Sequence, residues 1–182
     1  MKCIDLIVQD HIVLRRALDI VDRMLAKLEY GERIEIADAA TVLTFLRLFG
    51  HEYHEAMEET VLFPALLRAV GQEGPLHQLV HEHGEERMLV LDIEDAVKCR
   101  RGMDFLRNSR RLTAQLKNHF EKENVILSEL AEGCLSKEQD DEVVATFEKN
   151  RGQLEIYNLS RLERKYLPSP LRAYAQSQSA SR

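Results

Sequence analysis

His54 and Glu58, and again His119 and Glu123, repeat one spacing: a histidine with a glutamate four residues later. On a helix, residues four apart stand one above the other on the same face. Each pair therefore aims an imidazole and a carboxylate at one spot. Both pairs interrupt stripes of apolar residues, so they point inward. Burying an unpaired carboxylate costs several kcal/mol, roughly, so an inward glutamate needs a partner or a cation. For one pair alone, a His–Glu hydrogen bond within the helix suffices. Two such pairs, with His11 and His83 on the apolar faces of two further helices, predict a dinuclear metal site inside a helical bundle.

The donor types select the class of metal. Imidazole with carboxylate suits iron, manganese or zinc, and the set lacks the thiolates of structural zinc sites. Four histidines and two glutamates are too many for one catalytic zinc. They suit two metals that share bridging carboxylates. The Glu-x-x-His spacing of ferritin-like di-iron bundles is absent, since no histidine has a glutamate three residues before it.

The elements that must position these residues are helices throughout. Ile4, Ile7, His11, Leu14, Leu18, Val21, Leu25 and Leu28 recur at steps of three and four, giving a first helix from about Cys3 to Glu29. A second runs from about Ile36 beyond Phe63, with Leu43, Gly50, His54, Glu58 and Val61 on one face. Pro64 predicts a kink or stop there, because its ring clashes with the carbonyl four residues back. Gly71 to Pro75 reads as a loop, and Pro75 opens a third helix at a position that proline favours. On it Leu76, Leu79, His83, Val90 and Val97 share a face. The fourth carries Phe105, Leu112, Leu116, His119, Glu123, Ile126 and Leu130, and stops near Gly133. Ser136 and Gln139 form a capping box for a short fifth helix through Lys149. Leu154, Tyr157 and Leu162 suggest one more, ended by Pro168 and Pro170. A disordered tail is expected from about Gln176. The chain thus divides into a bundle over residues 1–150 and a helical extension over 151–182.

Composition sets limits. The chain has 182 residues, 45% hydrophobic and 31% charged, which fits one globular domain. A formal net charge of −6 disfavours nucleic acid and anionic membrane as partners. No apolar run approaches a membrane span, and the early charges of the N-terminus do not make a signal peptide. Cys3, Cys99 and Cys134 are odd in number and widely spaced, the pattern of reduced thiols in a cytoplasmic protein. Cys3 and Cys99 read as packing or surface thiols.

Three stretches carry a family resemblance. His54-Glu55-Ala56-Met57-Glu58-Glu59-Thr60-Val61-Leu62-Phe63-Pro64 resembles the second-helix motif of the hemerythrin-like, or HHE cation-binding, proteins. The run from Gly74-Pro75 to Glu82-His83 and Arg87 resembles their third helix, and His119-Phe120-Glu121-Lys122-Glu123-Asn124 with Ile126-Leu127 their fourth. Ser136 to Phe147 is similar to their C-terminal helix. The resemblance covers about residues 1–150. It implies an all-α, up-down four-helix bundle with additional short C-terminal helices. It implies two non-haem iron ions joined by an oxo or hydroxo bridge, with manganese or zinc as substitutes. The ligands it implies are His11, His54, Glu58, His83, His119 and Glu123, with both glutamates bridging. The partner it implies is a small molecule: dioxygen, nitric oxide or peroxide.

There are departures. The oxygen-carrying hemerythrins have another histidine four residues before the one on the third helix, and Leu79 stands there. The chain is therefore similar to the four-His, two-Glu subgroup, which includes the iron–sulfur repair di-iron proteins. Those carry a cysteine-bearing N-terminal domain, whereas this chain starts at the first bundle helix, so repair activity does not transfer directly. An apolar Leu79 beside an open iron would admit a small neutral molecule and offer it no hydrogen bond. That favours sensing, detoxification or stress response over oxygen storage. Iron storage or donation for cluster repair is the second reading, and a metal-free helical interaction module the third. Metal content separates the third from the others.

Other residues compete for the site. His81 lies nearly opposite His83 around the helix, and the apolar residues at 76, 79, 90 and 97 choose His83 as the inward one. His77 points elsewhere too. His51, three before His54, falls near the bundle mouth, and Tyr53 reads as packing. The acidic runs Glu58-Glu59 and Glu85-Glu86 read as partly solvated faces.

Overall fold

The computed structural model describes residues 1–70, 74–151 and 159–168. Six helices account for nearly all of them, and no strand occurs among the described residues. Helix α1 is Lys2–Glu29 and α2 spans residues 36–70. Helices α3 (Gly74–Lys98), α4 (Gly102–Cys134), α5 (Lys137–Arg151) and α6 (Ser160–Tyr166) follow. The short connections make consecutive helices among α1 to α4 antiparallel. Helices α1 to α4 form the bundle, with α4 packed along both α1 and α3.

Helix α2 passes Pro64 without stopping. Two of its segments, Leu46–Glu55 and Glu58–Leu62, are π-helical, and the second lies directly before Phe63–Val70. A widened turn is one way for a helix to accommodate a proline ring, and π segments gather at functional sites. The expected stop does not occur.

The capping box forms as expected. The Ser136 backbone N–H donates to Gln139 Oε1 at 2.8 Å, and the Gln139 N–H donates to Ser136 Oγ at 3.3 Å. Helix α5 also caps α1. The backbone N–H groups of Lys2 and Cys3 donate to the two Asp140 carboxylate oxygens at 3.1 and 3.0 Å. Helix α4 begins three residues before Phe105 and runs one residue past Gly133. Residues 71–73 of the expected loop, Leu154, Tyr157 and the tail from Gln176 lie outside the described residues. Leu162 is buried on α6, which rests on α1. Among the described residues, no helix is long and apolar enough to cross a membrane.

The core is split along the bundle axis. One apolar cluster holds Leu14 to Leu25 of α1 with Leu89, Ile93, Leu112 and Leu116. The other holds Cys3, Ile4 and Ile7 with Phe63, Leu79 and Leu127. Between them every bundle helix contributes polar residues with at most 2% exposure, among them His11, Glu58, His83 and Glu123. A polar layer enclosed by two apolar plugs is expensive unless something satisfies it.

Candidate metal centre

The bundle brings all six sequence-nominated residues into that layer. Helix α1 supplies His11, α2 supplies His54 and Glu58, α3 supplies His83, and α4 supplies His119 and Glu123. His81 and His77 are exposed on the outside of α3, as the periodicity requires.

The imidazoles form two pairs. His11 Nε2 lies 3.1 Å from His54 Nε2, and His83 Nε2 lies 3.1 Å from His119 Nε2. The carboxylates span the pairs. Glu58 places Oε1 3.5 Å from His54 Nε2 and Oε2 3.6 Å from His83 Nε2. Glu123 places Oε2 3.2 Å from both His11 Nε2 and His119 Nε2, and Oε1 3.8 Å from His83 Nε2. Each carboxylate thus reaches one histidine pair and then the other.

The outer ring nitrogens fix the tautomers. His11 Nδ1 lies 2.8 Å from Asn124 Oδ1, His83 Nδ1 2.9 Å from Glu59, and His119 Nδ1 2.9 Å from Glu82. His54 Nδ1 faces Asp10 Oδ2 at 3.6 Å. Each of these partners is an acceptor, so the ring proton belongs on Nδ1 and the Nε2 lone pair points inward. In the His11–His54 pair, two such lone pairs at 3.1 Å repel each other. Both oxygens of Glu58 and of Glu123 lack a hydrogen-bond donor. A buried layer composed of acceptors calls for cations, and the donor set of imidazole and carboxylate suits divalent transition metals. By this test the residues fit two metal ions.

Charge perturbations follow from the same crowding. Burial, reinforced by the adjacent Glu123 carboxylate, pushes the Glu58 carboxyl well above its ordinary value. Burial alone would lower His119, but Glu123, Glu86 and Glu82 outweigh it and raise the ring to about 9, so in the metal-free protein its Nε2 carries a second proton that binding a metal must displace. Glu82 behaves oppositely. Burial would raise it, yet hydrogen bonds from Lys122 and His119 hold it at about 2. It therefore remains an ionised acceptor for His119 Nδ1.

Several residues of the surroundings went unrecognised in the sequence. Asn124, Glu59 and Glu82 orient three of the rings and Asp10 faces the fourth, and they were legible only as residues neighbouring the inward stripes. Arg87 donates to Glu55 Oε2 at 2.9 Å and to Glu59 Oε1 at 3.0 Å, closing the polar layer towards solvent. His51 is buried with Nδ1 3.1 Å from Glu55 Oε1, outside the clusters that could hold an ion. Tyr53 packs in the core beside Phe49. Cys3 is buried and Cys99 exposed.

Glu86 corrects the reading of Glu85-Glu86 as a solvated run. Glu85 is exposed, but Glu86 is 0% exposed, and burial lifts its carboxyl to about 8. It stands three residues beyond His83, on the stripe that carries Leu76 and Leu79, where helical spacing directs a side chain inward. With it the bundle leaves a cavity of about 10 Å³ against the site. Leu14, Leu46, Leu116 and Phe120 form its apolar wall, and His51, His54, Glu86 and His119 its polar one. Leu79 lies on the other side of the histidine layer, packed in the apolar cluster with Phe63 and Leu127.

A family model described as the hemerythrin HHE cation-binding domain matches residues 3–131, which include all six residues. No curated protein and no solved structure matches the chain.

Proposed function

From the premise that this chain belongs to the hemerythrin HHE cation-binding domain family, we propose that it holds two iron ions and reacts with a small neutral molecule such as dioxygen, nitric oxide or hydrogen peroxide. The observation that carries this is the pairing of inward Nε2 atoms, two by two, with a carboxylate spanning the pairs on each side. In this reading His11, His54, Glu58 and Glu123 would hold one ion, and His83 and His119 with the same carboxylates the other. Iron bound there would supply redox chemistry, which the side chains alone lack.

The chain's own residues do the rest. Asn124, Glu59 and Glu82 hold three of the imidazole rings in one tautomer and orientation. Such outer partners typically matter by roughly 10–100-fold in metal affinity. The two apolar clusters exclude bulk water from both ends. Arg87 pairs with Glu55 and Glu59, which His51 and His83 also help to hold ionised. The cavity beside His54 and His119 gives a water-sized molecule a place next to the site. A role in sensing or detoxifying such molecules fits this small pocket better than a role acting on a larger substrate.

The test is metal analysis and the visible spectrum of protein produced with iron available. Two iron ions per chain, with charge-transfer absorbance beyond the aromatic band, are expected. A metal content near zero, with no such absorbance, sinks the reading.

A further inference from the structure

Glu86 is the one residue of the polar layer for which neither the metal reading nor the surrounding network has a use. It is fully buried, it lines the cavity beside His54 and His119, and neither of its carboxyl oxygens has a hydrogen-bond partner among the described residues. Its neighbours are engaged elsewhere. Arg87, the next residue, turns to Glu55 and Glu59, and His51 turns to Glu55. Glu86 is also absent from the groups of donor atoms close enough to share an ion. The stripe it occupies on α3 is otherwise apolar on either side of His83, with Leu79 one turn before His83 and Val90 two turns after it. A leucine would fill this place at no cost in buried polar surface.

We propose that Glu86 holds the small ligand of the centre by a hydrogen bond across the cavity between His54 and His119. The inference rests on the dinuclear reading above and adds the residue that selects the ligand. The cavity suits one water, or the outer atom of a diatomic. A carboxyl group can accept from water or, when protonated, donate to the oxygen of nitric oxide or dioxygen. Opposite it the wall is Leu14, Leu46, Leu116 and Phe120, which accept only a small and largely apolar molecule. The ligand class is therefore neutral, diatomic or water-sized, with one hydrogen-bonding end. This reverses the expectation drawn from Leu79, that the ligand meets no hydrogen bond. Leu79 is part of the apolar plug on the far side of the histidines, and the polar contact comes one turn beyond His83.

The experiment compares wild type, Glu86→Gln and Glu86→Leu, each as the full chain loaded anaerobically with ferrous iron and titrated with nitric oxide. Iron content should be equal in all three. Glu86→Leu should lose at least about tenfold in nitric oxide affinity, and Glu86→Gln, which keeps a hydrogen-bonding end, should stay within about threefold of wild type. Crystals of the metal-free chain provide a readout independent of iron: an ordered water on the Glu86 carboxyl, missing in Glu86→Leu. Equal affinity in wild type and Glu86→Leu overturns the proposal, as does a loss of iron in Glu86→Leu, which would make Glu86 a ligand. Wild type that retains no iron overturns the dinuclear reading and this proposal with it, whereas a dry cavity in crystals of a chain that does load iron overturns the proposal alone.

Discussion

The six inward residues differ in what their loss should do. Glu58 and Glu123 each reach both histidine pairs, so removing either carboxylate strips donors from both halves of the site. His77 and His81 stand on the outer face of α3 and touch none of it. Glu58→Ala and Glu123→Ala should therefore lower iron content sharply, while His77→Ala and His81→Ala leave it near wild type. Metal analysis of the four variants decides this. Iron lost from His81→Ala but retained in Glu58→Ala would mean that the buried layer is not where metal binds. Histidine spacing alone made His77 with His81 and His51 with Glu55 rivals of the inward pairs. Apolar periodicity chose correctly between the faces of α3, yet it overlooked Glu86, because a step of seven from His83 to Val90 passes over the intervening turn.

At the scale of elements, helix ends are fixed by charged side chains from distant parts of the chain. Asp140 of α5 caps α1, and Asp38 near the start of α2 anchors α6. Asp38 is fully buried and accepts from Arg161 at 2.6 Å, Lys165 at 2.5 Å and Tyr166 at 2.8 Å. Burial alone would raise its carboxyl, but these hydrogen bonds outweigh burial and hold it below the ordinary value. A carboxylate depressed in the folded state contributes stability above its unfolded pKa of about 3.9, and the contribution is lost as pH falls through the folded value. Asp38→Asn should therefore cost about 1–2 kcal/mol at neutral pH, with the exposed cations screened by solvent. The gap between variant and wild type should narrow towards about pH 3. Denaturant melts at the two pH values measure it, and a gap of the same size at both would show that the charge is not what docks α6. Sequence periodicity suggested a helix around Leu162 without indicating its partner, since Asp38 lies 128 positions from Tyr166.

For the whole molecule, the polar layer between two apolar plugs couples metal to folding. Metal-free protein must bury crowded imidazoles and carboxylates without donors, and bound metal removes that penalty. A ligand present at a thousand times its Kd adds about 4 kcal/mol to the folded state. For a chain of this size that corresponds to a rise in Tm of about 10 °C. Melting with and without a chelator tests this, and equal midpoints would count against it. Acid should oppose loading, because each imidazole must give up a proton to bind metal.

Periodicity and spacing by themselves determined the helical class, the four bundle helices, the inward His–Glu pairs and the capping box at Ser136. These are local properties, set by which residues recur every three or four positions and by hydrogen bonds within one turn. Only the tertiary structure decided what depends on several helices at once. The division of the core into two plugs, the acceptors that orient each ring, the π winding that carries α2 past Pro64 and the cavity that encloses Glu86 all belong here. Glu86 shows the physical reason most plainly. Its charge and its acidic neighbour Glu85 suggest solvent, its place on the α3 stripe suggests the core, and the packing of α1, α2 and α4 around that stripe is what buries it.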